Sequence, residues 1–338
     1  MSKAIFLCVG SGGHVLPVVN IINTMVEKGI DKKNILIITD QRGKEYLKNR
    51  DYEILLYPFV SSKTGLIGYL FKIFKIFKSI FVLYRILKNY NPKFLFTTGA
   101  YIAPIAAIVS RLLKVDLYIQ EQNIYSGLGN KIAAPFSKVA FTSFPDTQNI
   151  LKNKVQYCGP VLNLDFAKVK NVNKGKLTIG FQGGSQGSDE INNIVYKFCK
   201  ESKYSDINVI HIAGANNETS TFERKNYHSY GFLNDMQEFY NNIDIQVSRS
   251  GGGVLEAAYL NIPQILIPYK HGTTASHQRL NAEYLQKIKA AKIVETYEEF
   301  IIELDELIKN NNYKNLNDFR IKYGNEIISK RLVDELNK

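Results

Sequence analysis

His14 is the residue whose type and setting best suit proton transfer. An imidazole titrates near neutrality, and His14 closes a glycine-rich turn, Val9-Gly10-Ser11-Gly12-Gly13-His14, between an apolar run and a helical pattern. Two more turns share this grammar: Gly183-Gly184-Ser185-Gln186-Gly187 after LTIGFQ, and Arg249-Ser250-Gly251-Gly252-Gly253 after IDIQVS. Glycine lets the backbone approach a ligand, and a helix N-terminus presents unpaired N–H groups. Each turn is therefore a candidate phosphate cradle. Glycine also serves tight strand–helix packing, but three turns at equivalent places favour phosphate. None is a GxxxxGK[ST] loop, and none is GxGxxG followed by an acidic ribose ligand, so a dinucleotide enzyme is disfavoured.

Other polar side chains cluster around these turns. Glu256 falls in the first turn of the helix after the third loop. A carboxylate there can accept hydrogen bonds from two ribose hydroxyls, or simply complement the helix dipole. Gln278 and Asn281 lie three apart on one helical face. Their amides both donate and accept, which suits a neutral sugar; the bland reading is a solvated face. His211 and His228 are isolated, and His271 and His277 are six apart with no carboxylate between them, so no metal-ligand cluster is legible. Cys8, Cys158 and Cys199 form no CxxC pair and read as reduced, buried thiols.

Short apolar runs alternating with helical patterns must position these groups. Candidate strands are Ala4–Val9, Ile35–Thr39, Ile54–Tyr57, Phe94–Thr97, Leu117–Gln120 and Val139–Thr142, then Leu177–Gln182, Ile207–Ala213, Ile243–Ser248 and Gln264–Pro268. Helical patterns such as Leu16–Lys28 and Tyr101–Leu113 separate them, which implies two doubly wound parallel sheets. A chain of 338 residues suits two domains. The break is expected between CGPVLN at 158–163 and the polar stretch 168–176, giving domains 1–162 and 163–323 that face each other across a cleft. The last helical pattern, Asn325–Leu336, would cross back onto the first domain.

Charge and one segment suggest where the protein works. The net charge of +12 favours anionic partners: nucleic acid, anionic lipid or phosphorylated small molecules. No nucleic-acid module signature is present. Lys3–Val9 is too short for a signal peptide's apolar region and lacks a cleavage site, and no charge-free stretch of about 20 residues suggests a membrane span. Residues 65–89, GLIGYLFKIFKIFKSIFVLYRILKN, place Leu70, Ile73, Phe74, Phe77, Ile80, Phe81 and Tyr84 on one broad helical face. Lys72, Lys75, Lys78 and Ser79 fall on the other. Three lysines at spacing three are out of place in a buried or spanning helix. An interfacial helix puts aromatics into the acyl boundary and lysines against anionic headgroups; the alternative is a core helix with snorkelling lysines.

GSGGHVLP at 10–17, TTGAYIAPIAA at 97–107, EQN at 121–123, GGSQG at 183–187, GFLNDM at 231–236, SRSGGG at 248–253 and HQRLNA at 277–282 together resemble the MurG family. That family adds N-acetylglucosamine from its UDP donor to the lipid-linked precursor lipid I. The resemblance implies a GT-B fold, two Rossmann-like domains, inverting chemistry, and work on the cytoplasmic face of the plasma membrane as a peripheral protein. It implies no obligatory active-site metal or other cofactor, Mg²⁺ being at most a counter-ion of the nucleotide. It also implies that Ser185, with Gly184 and Gln186, holds the donor diphosphate, joined by the amides of Gly252, Gly253 and Val254. Glu256 would take the ribose, the backbone of Leu233 the uracil edge, and Gln278 with Asn281 the sugar. His14 would help deprotonate the acceptor hydroxyl, or else bind the acceptor's diphosphate or orient its loop. Ser11, Gly12, Gly13 and Asn123 would complete the acceptor side. Three positions depart from the pattern. The first loop begins Val9-Gly10-Ser11 rather than Gly-Gly-Thr, Leu162 stands in place of an arginine, and the stretch from Arg249 to Glu256 is one residue short. A diacylglycerol glycosyltransferase, a UDP-GlcNAc epimerase and a noncatalytic membrane scaffold share parts of this pattern.

Overall fold

The computed structural model describes residues 3–48, 50–57, 67–163, 175–184, 186–214, 224–233, 236–269, 275–310, 319 and 321–338, with backbone alone for 67–74, 275 and 276. The chain forms two compact units, Met1–Leu164 with Tyr323–Lys338, and Asp165–Lys322.

Among the described residues of the N-terminal unit, β1 (Ala4–Leu7), β2 (Ile35–Thr39), β3 (Glu53–Leu56), β4 (Phe94–Thr97), β5 (Asp116–Glu121), β6 (Val139–Thr142) and β7 (Val155–Tyr157) form one parallel sheet in the order β3-β2-β1-β4-β5-β6-β7. Helices α1 (Gly12–Glu27), α2 (Gln41–Lys44), α3 (Ile67–Tyr90), α4 (Ala103–Leu113) and α5 (Leu128–Ala133) connect the strands. Successive strand side chains point to opposite faces, and β1 shows the result. Ala4, Phe6 and Cys8 join a core with Val15, Val18, Ile22 and Met25 of the α1 face. Ile5, Leu7 and Val9 join a second core with Leu83 and Leu87 of α3 and Ile102, Ala106 and Val109 around α4. Burial on both faces is why the central strands read as unbroken apolar runs.

The C-terminal unit repeats the plan. β8 (Thr178–Gln182), β9 (Asn208–Ile212), β10 (Tyr227–Tyr230), β11 (Ile245–Ser248), β12 (Gln264–Leu266) and β13 (Ala291–Ile293) form a parallel sheet ordered β10-β9-β8-β11-β12-β13. It is joined by α6 (Asp189–Lys200), α7 (Met236–Asn242), α8 (Gly253–Tyr259), α9 (Ala275–Lys287) and α10 (Tyr297–Lys309). Phe181, Phe198 and Phe300 sit at its centre, with ring centroids 5.8–6.0 Å apart.

The last helix, α11 (Gly324–Leu336), belongs to the N-terminal unit. Its Ile328 and Leu332 enter the α1 core. At its start Asn325 clamps the backbone of Leu162: Nδ2 donates to the Leu162 carbonyl at 2.7 Å and Oδ1 accepts the Leu162 N–H at 2.8 Å. Leu162, which replaces an arginine of the family pattern, is fully buried here. The polar stretch expected as a linker lies mostly outside the described residues.

Candidate active site

Both sheets reverse their strand order beside the first strand of each unit, between β1 and β4 and between β8 and β11. Doubly wound sheets bind ligands at the carboxyl ends of strands at such a switch point. Residues 8–11 run from β1 into α1, residues 98–99 follow β4, the turn beginning at Gly183 follows β8 and residues 249–252 follow β11. Three of these four are the glycine-rich turns of the sequence.

In the N-terminal unit, α1 begins at Gly12 with Ser11 as its N-cap residue, and His14 lies in the first turn. Ser11 and Gly13 are exposed, and Gly12 and His14 are half-buried. His14 Nδ1 is 3.1 Å from the Thr98 carbonyl, and Thr98 Oγ1 donates to the His14 carbonyl at 2.7 Å. A carbonyl only accepts, so Nδ1 carries a proton, and the neutral ring keeps its lone pair on Nε2. That is the tautomer a base needs. The EQN segment comes to the same place: Gln122 Nε2 donates to the Gly13 carbonyl. Glu121 itself is buried and turned inward. Its carboxylate accepts from the Asn123 and Gly127 backbone N–H groups, the Ser126 hydroxyl and the Asn130 amide, at 2.9–3.0 Å. Asn123 is half-buried, and its own amide faces Glu121 at 3.3 Å. The loop is pinned from below by Asp40, whose Oδ1 accepts the Gly10 and Gly43 N–H groups at 2.9 and 2.8 Å while Oδ2 accepts the Tyr101 hydroxyl at 3.0 Å. These donors hold the Asp40 carboxyl below its ordinary range against the opposing effect of burial.

In the C-terminal unit, Ser185 lies outside the described residues. The N-cap of α6 is Ser188, whose hydroxyl accepts the Ile191 N–H at 3.4 Å. Gly184 is exposed with φ +89°, Gln186 is exposed, and the turn is closed by Gly187 N–H to the Gly184 carbonyl at 2.9 Å. Gly214 packs behind it so closely that a Cβ would stand 2.3 Å from Gly187 Cα. In the third loop Gly252 is exposed and Gly253 half-buried, whereas Val254 is buried with its N–H directed at the Gly251 carbonyl at 3.4 Å. Glu256 is half-buried beneath it. Desolvation raises its carboxyl above the ordinary range, and the Tyr240 hydroxyl, 3.0 Å from Oε2, acts the other way.

Leu233 is half-buried beside exposed Phe232. Gln278 Oε1 accepts the Tyr269 N–H at 3.0 Å. Asn281 is only 1% exposed and its amide donates to the Ser250 carbonyl at 3.1 Å, so it braces the third loop from inside. Of the seven aromatic and aliphatic positions expected on one α3 face, the side chains of Leu70, Ile73 and Phe74 lie outside the described residues, as does that of Lys72. Among the rest, Phe77 and Phe81 are exposed, Lys75 is half-buried and Lys78 exposed. Ile80 and Tyr84 instead pack towards Leu83 and Leu87 in the core. The expected single face is therefore divided, because α3 must cover the sheet with one side while it shows aromatics on another.

Three arrangements escaped the motif reading. Arg249, with its side chain 9% exposed, ties the end of β11 to the α6 N-terminus and the end of β12: Nε to Ser188 Oγ at 3.0 Å, Nη2 to Glu190 Oε2 at 2.8 Å and Nη1 to the Ile267 carbonyl at 3.0 Å. Buried His211 bridges Tyr227 and Asn192, each at 2.9 Å, and Asn192 Nδ2 reaches the Ala213 carbonyl at 3.2 Å. Tyr240 holds Glu256. Each joins residues distant in sequence, and no spacing rule finds such a pair. Among the described residues no group of three or more His, Cys, Asp or Glu side chains is placed to hold a metal ion.

The sequence profile of the glycosyltransferase family 28 N-terminal domain matches residues 4–142, and that of the family 28 C-terminal domain matches 178–331. The crystal structure of Acinetobacter baumannii MurG superposes with a TM-score of 0.75 at 20% identity over 99% of both chains. The structure of UDP-GlcNAc 2-epimerase from Methanocaldococcus jannaschii superposes with a TM-score of 0.63 at 14% identity over 99% of both chains. Fold alone thus admits both chemistries, and it is of the GT-B class. Sequence decides between them. A Bacillus cereus protein named UDP-N-acetylglucosamine--N-acetylmuramyl-(pentapeptide) pyrophosphoryl-undecaprenol N-acetylglucosamine transferase 3 is 30% identical over 87% of this chain and 86% of its own length. The chain belongs to that transferase family, the MurG family.

Proposed function

We propose that the chain transfers N-acetylglucosamine from UDP-N-acetylglucosamine to the 4-hydroxyl of the N-acetylmuramyl residue of lipid I, with inversion, giving lipid II for peptidoglycan synthesis. Family membership supports the reaction. The observation that carries the mechanism is the His14–Thr98 pair at a switch-point loop, which turns Nδ1–H to a carbonyl and so, in the neutral ring, puts the lone pair on Nε2. In the step, the acceptor oxygen bonds to the sugar's anomeric carbon while the bond to UDP breaks. The hydroxyl proton passes to His14 Nε2, and UDP leaves with the bonding electron pair.

Donor handling falls to the C-terminal unit. Ser185, Gly184, Gln186, Gly252, Gly253 and Val254 receive the diphosphate, whose growing charge needs preorganised donors. Glu256 takes the ribose hydroxyls, Leu233 the uracil, and Gln278 the sugar, with Asn281 acting through the Ser250 loop. Ser11, Gly12, Gly13 and Asn123 receive the acceptor. No protein-held metal or other cofactor enters this scheme, and Mg²⁺ would accompany the nucleotide as a counter-ion. The protein acts as a peripheral enzyme at the cytoplasmic face of the plasma membrane. Phe77 and Phe81 meet the acyl boundary while Lys75, Lys78 and, by sequence, Lys72 meet anionic headgroups, with Ile73, Phe74 and Ile80 on the same helix. Among the described residues no helix is long and apolar enough to cross a membrane. Nucleic acid has no place in this reading.

The test is UDP release from purified protein given UDP-N-acetylglucosamine with and without a lipid I analogue. Release should require both, and His14→Ala should lower kcat by roughly 10²- to 10⁴-fold with the donor KM unchanged. An unchanged kcat would remove the base role and leave the transferase standing. Release without acceptor would favour the epimerase class, and release only with UDP-glucose and diacylglycerol would favour a glycolipid synthase.

A further inference from the structure

Glu256 is one end of a buried polar chain. Tyr240, on α7, is fully buried, with its hydroxyl 3.0 Å from Glu256 Oε2 and 3.2 Å from the Gly253 carbonyl. Behind it three glutamines cross the sheet on adjacent strands: Gln182 on β8, Gln246 on β11 and Gln264 on β12. Gln182 Nε2 lies 3.4 Å from the Tyr240 oxygen and 3.0 Å from Gln246 Oε1. Gln246 Nε2 donates to Gln264 Oε1 at 2.9 Å, and Gln264 Nε2 to the Val254 carbonyl at 2.9 Å. Central strands buried on both faces normally carry apolar side chains, and a buried amide is costly unless satisfied. Gln246 and Gln264 are at most 1% exposed, so the ladder is a specific arrangement rather than solvated surface.

The direction of its donors follows from its ends. The Val254 carbonyl can only accept, so Gln264 turns its NH₂ there and its oxygen towards Gln246. Gln246 must then offer its NH₂ to Gln264 and its oxygen to Gln182. The Gln182 NH₂ in turn occupies a lone pair of the Tyr240 oxygen, which leaves the phenolic proton to two acceptors, Glu256 Oε2 at 3.0 Å and the Gly253 carbonyl at 3.2 Å, of which the carboxylate is the nearer. Glu256 Oε2 is thereby supplied with a donor, while no described residue occupies Oε1. Both ends of the ladder, Val254 and Glu256, sit on the first turns of α8.

We propose that Tyr240, held by the Gln182–Gln246–Gln264 ladder, is a positioning residue that aims the Glu256 carboxylate at the nucleotide's ribose hydroxyls and so sets a preference for ribose over deoxyribose in the donor. This rests on the reading in which Glu256 takes the ribose. The experiment measures binding of UDP and of 2′,3′-dideoxy-UDP to the full chain and to Glu256→Gln, Tyr240→Phe and the double variant by calorimetry. Glu256→Gln should weaken UDP by roughly tenfold and leave the dideoxy nucleotide unaffected. Tyr240→Phe should weaken UDP by about three- to tenfold, spare the dideoxy nucleotide, and add little to Glu256→Gln. Equal weakening of both nucleotides by Tyr240→Phe would mark a merely structural role and overturn the proposal. An undiminished ribose preference in Tyr240→Phe, with that preference lost in Glu256→Gln, would overturn it too and leave the ribose reading intact. Full preference in Glu256→Gln would overturn both. Should Tyr240→Phe not fold, Gln182→Met, which cuts the ladder at a half-buried position, must show the same selective loss for the proposal to stand.

Discussion

At the scale of single residues, two histidines in unlike sequence surroundings, one in a glycine turn and one on a buried strand, are held in different ways. His211 lies on β9, fully buried, and burial pushes its pKa down to about 4. Asn192 commits its NH₂ to the Ala213 carbonyl, so its oxygen faces His211 Nε2, which must be the protonated nitrogen; Nδ1 then accepts from Tyr227. A second proton would fall on Nδ1, where the Tyr227 hydroxyl already points. The unfolded ring titrates near 6.5 and so binds more protons than the folded one between those values, and stability is lost as pH falls through that window. Urea unfolding from pH 7 to pH 4 should show this as a loss of up to about 3 kcal/mol, and His211→Gln should flatten the slope. A slope unchanged by the substitution would assign it to other groups. In sequence His211 was simply isolated, because Asn192 and Tyr227 stand 19 and 16 residues away. His14 was legible, since its glycine turn is contiguous, but its Thr98 partner was not.

Among the elements, the central strands were readable and three outer ones were not. The missing strands are β7, β10 and β13, each at an edge of its sheet. VQY, YHSY and AKI are short and mostly half-buried or exposed, so they lack the apolar run that two covered faces impose on β1 or β4. Helix α3 was recognised from its pattern, yet the division of its faces depends on which side meets the sheet, and a helical wheel does not hold that information. With Leu83 and Leu87 inside, Phe77 and Phe81 remain 67% and 59% exposed, and Arg85 lies over the Phe81 ring at 5.9 Å. Replacing Phe77 and Phe81 by Ser should cut recovery on phosphatidylglycerol vesicles in a sedimentation assay by roughly tenfold or more, since each ring is worth about 1.5–3 kcal/mol of apolar burial. Loss should be steeper at high salt, where the lysines contribute less. Equal recovery of the variant would move the membrane contact elsewhere.

For the whole molecule, the two units share one plan, but only the N-terminal one is built from both ends of the chain. The Asn325 clamp on Leu162 satisfies two buried backbone groups with one side chain. Asn325→Ala would leave both without partners, and a cost of about 2–4 kcal/mol is expected, measured as a lowered urea midpoint for the transition of the N-terminal unit. A shift of a few tenths of a kcal/mol would mean that water takes the place of the amide. That α11 seats Ile328 and Leu332 against α1 also bears on the order in which the protein is completed during synthesis. The first 164 residues leave the ribosome long before α11 exists, so their α1 face stays uncovered while 165–322 is being made. The C-terminal unit, uninterrupted in sequence, can finish first. A premature stop between residues 322 and 328 would therefore strip the N-terminal unit of Ile328 and Leu332 and leave the sequence of the C-terminal unit whole.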